Sequence, residues 1–275
     1  MARLIMKMTK WRDIEGRAAG IGAGTASRRA FGGKTVYGAR VGILVLDSPY
    51  PRIPGDSGNA LTWPFPVLYK VVRGATASRV VVGRAEGLLG AFLDGATELV
   101  EMGADGITTT CGFLSLYQAE LAAHCGVPVA ASSLMQIAAV ASLLPPGRTV
   151  GVITVSASDL SAEHLVAAGA PVDTPVVGAD GWPFLEEPKD ARPAVDIAHC
   201  ENLVLNAGRD LVARHPAVGA VVLECTRMVP FAAALRAEIG VPIYDIYSFV
   251  SWFQAGLAPR DFGHPGSAPG DWRER

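Results

Sequence analysis

Two cysteines lie at equivalent places in two similar stretches of the chain. Cys111 follows the apolar, threonine-rich run GITTT, and Cys225 follows AVVLE. In each stretch a helical pattern comes next, and Gly-Val-Pro begins fifteen residues after the cysteine, at Gly126 and Gly240. A thiol between a strand end and a helix start lies at the positive end of the helix dipole, which favours the thiolate. This placement predicts reactive cysteines.

Two such cysteines facing each other could move protons at carbon. If both sulfur atoms approach one substrate carbon from opposite sides, one thiolate removes a proton and the other thiol returns one to the opposite face. This two-base 1,1-proton transfer inverts a stereocentre without a cofactor. The alternative for a cysteine in an apolar strand is core packing, which the repeated placement disfavours for Cys111 and Cys225. Cys125 and Cys200 lack that context, and we interpret both as structural.

The elements around the cysteines form an internal repeat. Glycines spaced four apart open each half, at Gly38 and Gly42 and again at Gly147 and Gly151. Short apolar runs alternate with longer helical patterns in both halves, which is typical of parallel sheets covered by helices. We therefore predict an α/β protein with two pseudo-symmetric lobes, each a mainly parallel sheet flanked by helices. Ligands of such sheets bind at the carboxyl ends of the strands.

The repeat sets the predicted domain limits. Residues 1–35 form an N-terminal arm, residues 36–133 with 241–275 form the first lobe, and residues 134–240 form the second lobe. The loop at 49–68 is rich in proline and glycine and too long for a simple connection, which indicates a functional loop.

Composition restricts partners and location. The 275 residues carry a net charge of −2, which favours neither nucleic acid nor an anionic membrane as a partner. No apolar run approaches the ~20 residues of a membrane span. Four scattered cysteines without a CxxC pair indicate free thiols and no metal site, so we expect a cytoplasmic enzyme without cofactors. The sequence does not determine the oligomeric state, and a homo-oligomer (a dimer or larger) is possible.

Several other residues are expected to line the cleft between the lobes. Strand ends supply side chains, first-turn N–H groups after each cysteine can hold a carboxylate, and a loop arginine can clamp it with two hydrogen bonds. The candidates for substrate binding are Asp47, Ser48, Arg52, Thr110, Gly112, Phe113, Ser132, Ser156, Thr226 and Arg227.

Each candidate also has a structural interpretation. Asp before Ser-Pro is a good turn former, and serines at strand ends often cap helices. Glu224 precedes Cys225, so strand alternation points it away from the thiol, into a contact between lobes or subunits. His164 and the histidines at 124, 199 and 215 show no partner pattern and are interpreted as surface or capping residues.

The motifs TTTCGF around Cys111 and LECTRMVP around Cys225 resemble the aspartate/glutamate racemase superfamily. This superfamily includes hydantoin racemases, maleate isomerases, arylmalonate decarboxylases and some algal dimethylsulfoniopropionate lyases. The resemblance covers about residues 36 to 257. It implies a PLP-independent enzyme of two lobes whose two cysteines are the acid/base pair. Arylmalonate decarboxylases keep only the second cysteine, so the presence of both favours racemisation.

The motifs also depart from those of glutamate racemases. Those enzymes carry Asp-Ser-Gly, Cys-Asn-Thr and Cys-Thr-His, where this chain has Asp-Ser-Pro, Cys-Gly-Phe and Cys-Thr-Arg. The stretch PRIPGD at 51–56 resembles one in the algal lyases. The favoured function is a racemase acting on an amino acid or related small carboxylate. The alternative is a carbon–sulfur lyase or decarboxylase that uses the same cysteine to remove an α-proton, and a ligand-binding protein with an inactive site is the third possibility. The substrate itself does not follow from the sequence.

Overall fold

The computed structural model describes residues 32–260 except 187 and 189. The chain divides into two units, residues 1–35 and 36–275, and every element below belongs to the second. Most of the predicted N-terminal arm and the end of the C-terminal tail lie outside the described residues. None of the helices between residues 32 and 260 is long and apolar enough to cross a membrane.

Two four-stranded parallel sheets form the centre of the fold. The first has the order β2-β1-β3-β4 and the second the order β6-β5-β7-β8. The same order recurs when four is added to each strand number, so the predicted α/β class with two repeated sheets is confirmed. The strands are β1 (Val41–Leu46), β2 (Val67–Val72), β3 (Gly106–Thr109), β4 (Val129–Ala130), β5 (Thr149–Thr154), β6 (Val176–Gly178), β7 (Val218–Leu223) and β8 (Ile243–Tyr244).

Eight α-helices and five 3-10 turns connect and cover the sheets within the described part of the chain. The helices are α1 (Ala77–Val81), α2 (Leu89–Met102), α3 (Gln118–Cys125), α4 (Ile137–Leu143), α5 (Ala162–Ala167), α6 (Ile197–Arg214), α7 (Ala232–Ile239) and α8 (Ile246–Leu257). The 3-10 turns are Ala60–Thr62, Gly112–Tyr117, Ser133–Gln136, Pro183–Leu185 and Val229–Phe231.

The opening strands show why glycine recurs in the repeat. Every residue of β1 is buried, as its continuous apolar run predicts for a parallel strand covered on both faces. A Cβ added at Gly42 in β1 would lie 3.0 Å from the Cβ of Leu99 in α2. A Cβ added at Gly151 in β5 would lie 2.8 Å from Leu211 in α6. Both glycines therefore let a helix pack closely on the opening strand of its sheet.

The Gly-Val-Pro motifs mark the same turn in both halves. Gly126 ends α3 with φ of 66°, and Gly240 ends α7 with φ of 73°. This left-handed conformation is easily adopted only by glycine, which stops the helix and starts the next strand.

One predicted boundary is wrong. Strand β8 pairs with β7 in the second sheet, with Val221 opposite Ile243, whereas the sequence prediction placed 241–275 as a whole in the first lobe. The reason is the repeat itself, because β8 follows Gly-Val-Pro as β4 does and therefore lies beside the cysteine-bearing strand of its own sheet. Helix α8 then crosses to the first sheet and packs against Val41, Ile43 and Val45 of β1. In the same way α4 contacts β5 and β7 of the second sheet.

Candidate active site

The carboxyl ends of β3 and β7 meet where the two sheets adjoin. The hydroxyl of Thr226, next to Cys225, donates a hydrogen bond of 3.0 Å to the carbonyl of Thr110, next to Cys111. Ser133, which follows β4, donates to the carbonyl of Leu223 at 2.8 Å. The residues that flank the two cysteines are thus joined directly, although more than a hundred residues separate them along the chain.

Each cysteine precedes backbone N–H groups that favour its thiolate. The N–H groups of Phe113 and Leu114 lower the pKa of the Cys111 thiol, and the N–H group of Arg227 lowers that of Cys225. The pKa of each thiol is nevertheless raised, first by burial and then by the Glu224 carboxylate. The Cys111 thiolate raises the pKa of Cys225 as well, so the two sulfur atoms interact electrostatically. Both cysteines therefore rest as thiols, which the dipole argument alone did not predict.

Glu224 lies between the two lobes. Its carboxylate accepts a hydrogen bond of 2.9 Å from the Thr154 hydroxyl of the second sheet, and it also interacts with the N–H groups of Val155, Gly112 and Phe113. Burial raises the pKa of this carboxyl to about 7 in spite of these donors. The sequence correctly suggested a contact between lobes for this residue but did not place it in the site. Its signal was a charged residue inside an otherwise apolar buried strand.

The glycine after Cys111 makes room for that carboxylate. A Cβ at Gly112 would lie 2.5 Å from Oε1 and 2.6 Å from the backbone oxygen of Glu224. The N–H groups of Gly112 and Phe113, which we expected to face a substrate carboxylate, thus face a carboxylate of the protein itself.

Arg227 attaches the long loop after β1 to the Cys225 segment. Its guanidinium donates to the carbonyl of Pro51 at 2.8 Å and to the hydroxyl of Ser48 at 3.2 Å. It also forms an ion pair of 3.3 Å with Asp56 and lies 4.4 Å above the ring of Phe184. Arg227 is one of the substrate-binding candidates from the sequence, and these contacts fix its guanidinium next to the Cys225 segment.

Asp56 is the buried centre of this loop. Its carboxylate accepts hydrogen bonds from Arg52 at 2.9 Å and from the N–H group of Gly58 at 2.7 Å, in addition to the ion pair with Arg227. The Trp63 indole and the Tyr69 hydroxyl both donate to the carbonyl of Ser57, each at 3.1 Å. The loop is therefore a hydrogen-bonded structure. Sequence analysis singled out the PGD stretch but gave Asp56 no role.

The remaining predicted residues lie at strand ends with partners of their own. Asp47 accepts from the N–H group of Gly74, and Ser48 pairs with Arg227. Ser132 caps the 3-10 turn that follows β4, and Ser156 donates to Asp159 at 2.5 Å. Asp47, Ser48 and Arg52 line a cleft of about 380 Å³ at the ends of β1 and β2 together with Val45, Leu46, Gly58, Tyr69, Val71 and Arg73.

His164 differs from its prediction in part. It caps α5, as suggested, with Nδ1 accepting from the Ser161 N–H group at 3.1 Å. It is fully buried, not at the surface, and its ring meets Phe113 edge-on at 5.0 Å. Burial lowers its pKa to about 4, so the ring is neutral at physiological pH. Among the residues between 32 and 260, no three His, Cys, Asp or Glu side chains are grouped so that they could hold a metal ion.

Comparison with known proteins gives a family and a set of relatives. The sequence model of the Asp/Glu/Hydantoin racemase family matches residues 83–250. A dimethylsulfoniopropionate lyase of Durusdinium sp. clade D is 27% identical over 256 residues, which cover 89% of this chain and 85% of the relative. Dimethylsulfoniopropionate lyase 6 of Emiliania huxleyi (strain CCMP1516) is 28% identical over 216 residues, which cover 74% of this chain and 56% of that longer protein.

A solved structure agrees with the fold. Glutamate racemase isoform RacE1 from Bacillus anthracis aligns with a TM-score of 0.54 at 16% sequence identity, over 80% of this chain and 81% of that one. At this level of identity the likeness concerns the arrangement of sheets and helices.

Proposed function

Since the chain belongs to the Asp/Glu/hydantoin racemase family, we propose that it is a cofactor-independent enzyme that removes an α-proton from a small carboxylate and expels a group from the neighbouring β-carbon. The observation that carries this proposal is the joining of the Cys111 and Cys225 segments through the Thr226–Thr110 hydrogen bond. It supports two thiols acting on one substrate at the junction of the lobes.

In the proposed reaction a thiolate takes the α-proton of the substrate. The electron pair of that C–H bond forms a carbon–carbon double bond, and the bond from the β-carbon to the leaving group breaks. The leaving group departs with its bonding pair, so a sulfonium leaves as a neutral sulfide and the product is an α,β-unsaturated carboxylate. The thiol then returns its proton to water. No oxidant or reductant is needed.

Charge near the thiols suits a carboxylate substrate. Arg52 and Arg227 carry two positive charges, and the buried carboxylate beside them, Asp56, balances only one. While the Glu224 carboxyl beside the thiols is protonated, this excess positive charge attracts an anion even without a direct hydrogen bond. Direct contacts from Asp47, Ser48 and Ser156, at the strand ends, are part of the same proposal.

Two observations favour elimination over racemisation. The alignment with the Durusdinium lyase spans 89% of the chain and so extends over the loop at 49–68 that Asp56 and Arg227 attach to the site. The two thiols are also not equivalent, because Cys111 is buried and Cys225 is partly exposed. We propose Cys225, the more accessible thiol, as the base.

Racemisation is the second candidate, and the family match and the presence of both thiols favour it. Removal of the α-proton would then leave a carbanion, which receives a proton from the opposing thiol on its other face. The substrate would keep all its atoms and change only its configuration.

The test is incubation in deuterated water with dimethylsulfoniopropionate, and separately with each enantiomer of aspartate and glutamate. Elimination releases a sulfide and an unsaturated acid, whereas racemisation gives the opposite enantiomer with deuterium at the α-carbon. Cys225→Ser is expected to lose activity at least about 10²-fold, the size of a general-base contribution. The matched control is Cys125→Ser, at a buried cysteine in α3 away from the junction. Full activity of Cys225→Ser would contradict its role as base, and no reaction with any of these substrates would contradict the proposed reaction class for them.

A further inference from the structure

We propose that Glu224 is a positioning residue whose charge decides whether the Cys111–Cys225 pair can carry a thiolate. This inference rests on the proposed use of the two thiols in catalysis. It adds that the protonation state of Glu224 controls thiolate formation, which the proposed reaction does not itself require. It places the decisive negative charge on a side chain that touches both lobes.

The geometry places the carboxylate against both cysteine segments. Glu224 is the residue before Cys225, and its Oε1 lies against Gly112, the residue after Cys111, so closely that a Cβ there would be 2.5 Å away. Its Oε2 is fixed by the Thr154 hydroxyl at 2.9 Å. The Ser133 hydroxyl donates to its backbone oxygen at 3.1 Å. The carboxyl thus has a fixed position at the junction of the lobes.

A fixed negative charge in a poorly solvated place opposes a second one nearby. The Glu224 carboxylate raises the pKa of Cys111 and of Cys225, in each case as the largest contribution after burial. Once Glu224 and the two thiols have together lost one proton, the remaining negative charge can be in either of two places. Either Glu224 is ionised and both cysteines are thiols, or Glu224 is protonated and one cysteine is a thiolate. Proton uptake by Glu224 and thiolate formation are coupled.

The surrounding charges do not replace Glu224 in this role. Among the described residues near it, Arg227 is already paired with Asp56. His164 contacts Phe113, and its pKa of about 4 keeps it neutral at neutral pH. The carboxyl that titrates near neutral pH beside the thiols is therefore Glu224, whose pKa is raised by burial to about 7.

This coupling gives a distinctive dependence of thiol reactivity on pH. Below the pKa of Glu224 the thiolate fraction rises tenfold for each pH unit. Above it, the protonated-Glu224 thiolate form and the ionised-Glu224 dithiol form have the same net charge, so their ratio no longer changes with pH. The rate of Cys225 alkylation is therefore expected to rise with pH up to about 7 and then to level off before it rises again.

The experiment measures iodoacetamide alkylation of the full-length protein between about pH 5 and pH 10, with each cysteine peptide quantified by mass spectrometry. The wild type should show the plateau at Cys225, and Cys125 should not, because burial is the cause of its raised pKa. In Glu224→Gln the plateau should disappear. At about pH 8, one unit above the Glu224 pKa of about 7, the rate should increase roughly five- to tenfold for the one-to-three-unit effect of a nearby like charge. Glu224→Asp, which keeps the charge, should retain a plateau.

An uninterrupted rise of the wild-type Cys225 rate through pH 7 would overturn the inference, even if the Gln variant failed to fold. An unchanged rate in a folded Glu224→Gln protein would overturn it as well. Alkylation needs no substrate, so this test does not depend on the proposed reaction. If the protein showed the plateau but turned over none of the tested carboxylates, the proposed function would be contradicted and this inference would still be supported.

Discussion

Replacing Glu224 with glutamine should change how stability depends on pH. Glutamine has the size of the protonated carboxyl and no charge. The Thr154 hydroxyl, which donates to Oε2 in the wild type, can turn and accept a hydrogen bond from the new amide. The variant therefore resembles the protein with Glu224 permanently protonated, and a comparison with the wild type isolates the cost of its buried negative charge.

The magnitude follows from the raised pKa. Burial, the largest cause, moves the Glu224 pKa from 4.5 to about 7, and each unit corresponds to about 1.4 kcal/mol. The folded state prefers the protonated carboxyl, so the stabilisation is fully present below pH 4.5 and is lost as pH rises through about 7. The free energy of unfolding of Glu224→Gln, minus that of the wild type, should thus increase by about 2.5 kcal/mol from about pH 5 to about pH 8.

A difference between the two proteins is needed because His164 acts in the opposite direction. Burial lowers its pKa from 6.5 to about 4, so its contribution is fully present above pH 6.5 and is lost as pH falls through about 4. Between these limits the wild-type effects of His164 and Glu224 oppose each other, and the wild-type stability alone would look almost flat. Of these two effects, the glutamine variant keeps only that of His164.

The assay is urea unfolding followed by circular dichroism and tryptophan fluorescence at several pH values, with coincident transitions as the check on two-state behaviour. Glu86→Gln makes the same chemical change at an exposed carboxyl and serves as the matched control. If the difference between Glu224→Gln and the wild type stayed constant within about 0.5 kcal/mol across this range, the buried carboxyl could not titrate as we describe.

Two further substitutions test the contacts around the site. Gly112→Ala should abolish activity and lower stability, because its Cβ would lie 2.5 Å from the Glu224 carboxylate. The control Gly90→Ala, which has open space around it in α2, should be neutral or stabilising. Thermal unfolding and turnover would be measured for both variants, and equal behaviour of the two would contradict the close contact at Gly112. Asp56→Ala should cost about 3–5 kcal/mol because it leaves two largely buried guanidinium groups without a carboxylate partner. Arg73→Ala, at a side chain that is 83% exposed, should change the free energy of unfolding by at most about 1 kcal/mol.

The internal repeat allowed the two repeated sheets to be predicted from the sequence. Equal spacing from Cys111 to Gly126 and from Cys225 to Gly240 reflects one strand–turn–helix unit used twice, and both glycines end helices in the left-handed conformation. Apolar runs such as the one in β1 identified the buried strands because parallel strands lack an exposed face. The pairing of β8 with β7 was not predicted, because a strand of two residues is too short for its hydrophobic pattern to indicate the sheet to which it belongs.

The polar contacts of the site could not be predicted in the same way. Asp56 meets Arg227 only because the loop after β1 folds onto a segment more than 150 residues away. Glu224 stood out as a charge in a buried strand, but its position against Gly112 depends on how the two lobes face each other. Such contacts depend on the relative placement of elements far apart in sequence, which local periodicity does not encode.

The most direct test of two cysteines serving one substrate is the exchange of substrate α-hydrogen with deuterated water. The exchange or elimination rate would be measured for the wild type, Cys111→Ser, Cys225→Ser and the control Cys125→Ser, each shown to be folded, with dimethylsulfoniopropionate, aspartate and glutamate as substrates. We expect wild-type rates in the control and a loss of at least about 10²-fold in Cys225→Ser. A lower rate is expected in Cys111→Ser as well. A wild-type rate in either Cys111→Ser or Cys225→Ser would contradict the action of two thiols on one substrate.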